Sequence, residues 1–340
     1  MKKIYISIIL ISLVLSSCIS QNNSKLSFSN EELALVQFMD SIGKLNPEIW
    51  EEKVSHNSDS VYESQIQMDV LISDLDFEKL KVQSEASRMD LNLFKRIFPD
   101  EIIDSMYLES DSLPIFFFPF TRNKFDFFAI QIFKVGWDAE VYFFNKNKIV
   151  AKHHISHRYG LEIASFQDEN GETVVYYEQN FGSGTGIFWN NFNFFKYSNN
   201  SLIPVLNEVS DVHEINYFES KSFQFLTEIV SINPLVFKMS YEQYFMDSIG
   251  KPITIIKDSE KVVYNWNDSS KQFVPDFSNS KLSKYKILSY YLDDTELLLT
   301  ELMFINTHYD LLVRIINGKN KIKRKLVFDY LNEVKIYTKM

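Results

Sequence analysis

Three of the six histidines in this chain fall within seven residues, Lys152-His153-His154-Ile155-Ser156-His157-Arg158. In a helix His153 and His157 would lie one turn apart, close enough to share a metal ion or a proton. The flanking runs are β-branched and aromatic, however. An extended chain rising about 3.3 Å per residue separates the pair by about 13 Å, too far for one ion unless the chain bends near Ser156. No His-Glu-x-x-His order accompanies them. The expectation is therefore solvated strand-end histidines, with ligand binding at His153, His154 and His157 as the alternative, and no metal or cofactor.

A second candidate is Phe181-Gly182-Ser183-Gly184-Thr185-Gly186. Its alternate glycines Gly182, Gly184 and Gly186 offer backbone amides to a ligand. A phosphate loop would need Gly-Lys-Ser/Thr at a helix start, whereas Ile187-Phe188-Trp189 opens a strand-like run, so a hairpin tip is the simpler reading. Asp168-Glu169-Asn170-Gly171-Glu172 resembles a calcium loop only faintly. It supplies about three side-chain oxygens against the six to eight a hard cation takes, and turn chemistry explains it. Glu162, Glu178, Asp293 and Asp294 qualify as acid–base groups by residue type alone, because a carboxylate pair is a spatial fact. No Gly-x-Ser-x-Gly elbow is present, which removes the main support for an α/β-hydrolase.

The elements that must position these residues are mostly strands. Phe occurs 30 times and Tyr 18 times against 9 Gly and 8 Pro, a balance that favours pleated, half-buried surfaces. Short aromatic or β-branched runs fill residues 113–206, and further ones follow to residue 266. Asn145-Lys146-Asn147-Lys148, Asp168-Glu169-Asn170-Gly171 and Ser198-Asn199-Asn200-Ser201 separate runs with residues that tolerate positive φ, so they predict hairpins. The fold expected is α+β: an antiparallel β-rich centre (meander, sandwich or propeller-like blades) flanked by N-terminal and C-terminal helices. Asn30 is expected to cap a first helix ending at Gly43. One or two more helices are expected between Asp74 and Phe98, then one capped by Asn306 and one over about 322–334. The division is 1–17 leader, 18–30 tether, 31–110 helical, 111–279 β-rich and 280–340 helical. Phe38-Met39-Asp40-Ser41-Ile42-Gly43-Lys44 recurs letter for letter as residues 245–251. The flanks differ, so no duplicated domain is inferred.

At the N-terminus Lys2 and Lys3 precede an apolar run from Ile4 to Leu15, too short for a membrane span of about 20 residues and suited to an export signal. The run ends in Leu15-Ser16-Ser17-Cys18, which resembles the lipobox of bacterial lipoproteins. That resemblance implies cleavage before Cys18, lipidation of its thiol and new amino group, and attachment to the membrane through this N-terminal lipid. Ile19 and Ser20 follow, which in the family favours the outer membrane over the inner. Cys18 is the sole cysteine, so with its thiol acylated neither a disulfide nor thiolate chemistry is available. Loss of Lys2 and Lys3 moves the formal charge from −10 to −12. So acidic a body is repelled by phosphate backbones, and no nucleic-acid partner is expected. The basic run Lys319 to Lys325 reads as a solvated turn between helices. The function expected is that of a lipid-anchored cell-envelope protein of a Gram-negative bacterium, a non-catalytic module for a protein, peptide or glycan. The alternative is an envelope hydrolase acting on glycan or peptide.

Overall fold

The computed structural model describes residues 29–45, 65–102, 110–133, 138–156, 160–180, 187–215, 221–247, 249–280 and 297–338. Cys18, His157, Gly182, Gly184, Gly186, Asp293 and Asp294 lie outside them.

Among the described residues the fold is α+β with two antiparallel sheets. The first has six strands in the order β1 (Gln65–Leu71), β6 (Lys148–Ser156), β5 (Asp138–Asn145), β4 (Phe127–Phe133), β3 (Ser112–Pro119), β2 (Arg88–Asp90). The second is an eight-stranded meander: β7 (Ile163–Gln167), β8 (Thr173–Asn180), β9 (Ile187–Ser198), β10 (Ser201–Ile215), β11 (Lys221–Ile232), β12 (Leu235–Met246), β13 (Pro252–Asn267) and β14 (Gln272–Asp276). The three predicted turns all form hairpins. Asn199, Asn200 and Gly171 take positive φ there, which Asn and Gly tolerate, and Lys146 takes it as well.

The sheets pack face to face. Phe143, Val141, Ala151 and Ile155 of the first meet Val175, Tyr177, Phe195 and Tyr197 of the second in a core of fully buried side chains. The other face of the first sheet is covered by α2 (Asp74–Glu85) and α3 (Leu91–Ile97), through Leu80, Leu93, Phe94 and Ile97 against Phe128 and Phe144. The second sheet packs on α1 (Asn30–Ile42), α4 (Leu297–Thr307), α5 (Tyr309–Ile316) and α6 (Lys321–Tyr337), through Met39, Phe304, Leu312 and Tyr330. Each buried Phe or Leu stabilises this arrangement by roughly 1.5–3 kcal/mol relative to exposure.

Several local expectations change. Ser29, not Asn30, caps α1: its Oγ accepts from Glu32 N–H while Glu32 accepts from Ser29 N–H at 2.7 Å. Asn306 lies inside α4, because burial of Phe304 and Ile305 carries that helix onward, and α5 starts after His308 without a side-chain cap. The Lys319–Lys325 run opens α6 at Asn320 and is partly engaged, Arg324 pairing with Glu32 and Lys323 donating to Thr254 O. The span 31–110 is not purely helical, since β1 and β2 complete the first sheet. Strand β1 leaves Ile66, Val70 and Leu71 exposed, and its Gln67 reaches the second sheet by donating to Leu202 O of β10 at 2.5 Å.

The second sheet curls. Trp266 of β13 lies over Lys196 of β9, and the Tyr264 hydroxyl donates to Glu208 of β10. In a flat sheet β9 and β13 would stand about 19 Å apart at about 4.8 Å per strand. Three of its hairpin turns, after β7, β11 and β13, therefore converge at one end.

Candidate functional site

The histidine cluster is divided by the pleat. His153 faces into the sandwich and is 0 % exposed, which corrects the expectation of a solvated histidine. Its ring lies 4.5 Å from Phe143 and 4.6 Å from Phe195, and its Nδ1 is 3.1 Å from the Tyr177 hydroxyl. Its Nε2 has no hydrogen-bond partner among the described residues. Burial lowers its pKa from 6.5 to about 3, so the ring is neutral at physiological pH.

His154 points the opposite way and is half-exposed. Its Nδ1 is 3.0 Å from Glu140 and its Nε2 is 3.8 Å from Asp138. Lys152 bridges Glu140, at 3.4 Å, to Glu101, which also accepts from the Tyr142 hydroxyl at 2.5 Å. Desolvation, then Glu101, pushes that phenol up. The acids of this network are engaged by Lys152, Tyr142 and His154. Glu162 is exposed just before β7, and Glu178 sits on the face of β8 opposite Tyr177, bonded to Ser210. The described candidates do not converge. Among the described residues no group of three or more His, Cys, Asp or Glu is arranged to hold a metal.

The structure instead builds a cup where the three hairpin turns meet. Its volume is about 320 Å³. Phe166, Leu235, Tyr264 and Phe273 form a buried floor, with half-buried Trp266 as one wall. Asp168, Glu169, Asn170, Asn233, Asn265 and Asp268 make up the polar rim, beside Pro234, and a cis Asn233–Pro234 peptide lies in the turn after β11.

The turn after β7 shows why its acids are not a calcium loop. Asp168 Oδ1 accepts the backbone N–H groups of Asn170 and Glu172, both at 2.9 Å, which closes the turn. Its Oδ2 takes the ammonium of Lys196 at 2.6 Å, and Glu172 takes the same ammonium at 2.5 Å. The Lys196 Nζ also lies 3.9 Å from the centre of the Trp266 ring, a cation–π contact behind the cavity wall. Burial by itself pulls the Lys196 pKa down, but the hydrogen bonds it donates to Asp168 and Glu172 outweigh it and hold the group above its ordinary value. So Lys196 is a fixed cation, not a nucleophile or base. Trp266 is held in turn by its Nε1–H, which donates to Asp268 at 2.9 Å, and by an edge contact with Phe273 at 5.3 Å.

Sequence reasoning had reached the turn at Asp168 but not Lys196, Tyr264 or Trp266. One signal was available: period two puts Lys196 on the face of Phe192 and Phe194, and a lysine on an apolar face needs a buried partner. Trp266 carried no such mark, because its approach depends on the curl of the sheet. No protein family, characterised protein or solved structure matches this chain.

Proposed function

We propose that this protein is a lipid-anchored module of the bacterial cell envelope that binds its ligand in the cup without transforming it. The cup carries the reading: an aromatic floor and wall for an apolar face, amides and carboxylates at the rim for orientation, and a buried cation behind the wall, Lys196, already committed to two acids. The described acids and histidines named as catalytic candidates are dispersed over separate faces, which favours binding over hydrolysis. The anchor rests on Lys2, Lys3, the run to Leu15 and Leu15-Ser16-Ser17-Cys18. Among the described residues no helix is long and apolar enough to cross a membrane.

Tryptophan emission tests the cup. The full-length protein, titrated with neutral and amine-bearing glycan fragments and with short peptides, should give a saturable change that Trp266→Phe abolishes. Saturation that survives in Trp266→Phe, or none with any probe, would overturn the reading. The anchor has its own test: Cys18→Ala should release the protein from the membrane fraction, and unchanged fractionation would sink lipidation.

A further inference from the structure

We infer that the ligand of the cup is cationic: an ammonium group carried on a small hydroxylated body, of which an amino sugar is the simplest example. This rests on the reading of the cup as a binding site and narrows it to a ligand class.

Three observations converge. The lining contains Asp168, Glu169 and Asp268, and no Lys, Arg or His is among the described residues that line it. Counting the groups just behind the wall, four carboxylates (Asp168, Glu169, Glu172, Asp268) face two ammonium groups (Lys196, Lys271), a net charge of −2. An anionic ligand is repelled, and the concave shape over a buried aromatic floor strengthens that field.

The second observation is the protein's own ammonium. Lys196 shows the geometry these walls stabilise, with an indole face at 3.9 Å and carboxylate oxygens at 2.6 and 2.5 Å. Asp168 and Trp266 serve both Lys196 and the cavity, so a ligand ammonium would meet the same two groups from the open side. Glu169 and Asp268 are exposed at the rim, in reach of such a group, whereas Lys196 cannot leave its buried seat to neutralise them.

Third, the amides of Asn170, Asn233 and Asn265 combine donors and acceptors around the opening, which suits hydroxyl groups. A cavity of about 320 Å³ is at the small end of ligand sites and fits one or two rings better than a folded partner.

Calorimetry on the full-length, detergent-solubilised protein decides the point with a β-1,4 glucosamine tetramer, its N-acetylated counterpart and spermidine, at about pH 5.5 where the amines are charged. The two tetramers differ in amine charge on one sugar framework. The free amine should bind at least about tenfold tighter than the acetylated form. That preference should shrink as salt rises from about 0.02 to 0.3 M, and Glu169→Gln with Asp268→Asn should remove most of it. Both acids are exposed, so the fold is not at stake. If the acetylated tetramer binds as well or better, the cationic class is overturned while the cup remains a binding site. Silence from all three probes overturns it too, and the neutral glycans and peptides of the tryptophan titration then decide separately whether the cup binds at all.

Discussion

The second sheet buries two lysines, near opposite ends, and the protein treats them differently. Lys196 lies at the end where the cup opens, 1 % exposed, between Asp168 and Glu172. Lys221 lies at the far end of the β11–β12 hairpin, where α4 and α6 dock, 3 % exposed and 2.5 Å from Glu301. Both sit over aromatic rings, Lys196 on Trp266 and Lys221 on Phe304 at 4.1 Å. The difference is in the acids. Glu301 is 5 % exposed and shared with the buried Tyr330 hydroxyl, whereas Glu172 is 42 % exposed and Asp168 keeps two backbone donors of its own. One ion pair is sealed inside a helix–sheet junction. The other is the inner layer of a cavity wall and remains in touch with solvent.

The sealed pair should be the costlier to break. Lys221→Met leaves Glu301 buried without its cation and should destabilise the fold by about 3–5 kcal/mol in urea unfolding. Replacing both, as Lys221→Met with Glu301→Leu, should recover most of that loss, because no charge is then left unpaired. If the double variant is as unstable as the single one, the account of Lys221 fails.

Lys196→Met should cost less, about 2 kcal/mol, since Glu172 can rehydrate and Asp168 retains its amide donors. Equal losses at the two lysines would erase the distinction between them. His153 provides a third case, a buried basic group with no carboxylate. Its folded pKa lies near 3, below the unfolded value of 6.5, so between those values the unfolded chain holds the extra proton. Its contribution to stability is complete above about pH 6.5 and declines as pH falls through the window, by at most about 1.4 kcal/mol per pH unit. His153→Phe should flatten that part of the stability–pH profile, and an unchanged slope would refute the assignment. The smallest effect is expected at Trp266→Leu, about 1 kcal/mol from the lost cation–π contact, with a much larger effect on ligand affinity.

How much of this was legible in the sequence depends on the range of the forces involved. The hairpins at Lys146, Gly171 and Asn199–Asn200 could be read because a turn is decided by four or five adjacent residues. The strand runs could be read because burial repeats with period two. The histidine cluster could not be resolved, since alternation places His153 and His154 on opposite faces but does not say which face is dry. That was decided by the second sheet, which brings Tyr177 and Phe195 against His153. The cup was out of reach for the same reason, as its walls come from the turns after β7, β11 and β13, which meet only when the sheet curls.

The repeated heptapeptide separates the two kinds of information within one set of letters. In both copies the glycine N–H donates to the aspartate carbonyl three residues back, Gly43 to Asp40 at 3.2 Å and Gly250 to Asp247 at 2.9 Å, with φ of 70° and 76° at the glycines. That closure belongs to Asp-Ser-Ile-Gly itself, because glycine reaches positive φ without a steric penalty. What precedes it is not local. Phe38 and Met39 are helical, led by the Ser29 cap, and Met39 is the buried member of the pair. Phe245 and Met246 end a strand paired on both sides, and there Phe245 is the buried one. The sequence by itself determined the turn, through backbone freedom at one glycine. Only the tertiary structure decided helix or strand, because which face is removed from water depends on neighbours distant in the chain, such as Tyr309 beside Asp40 and Tyr330 beside Phe245.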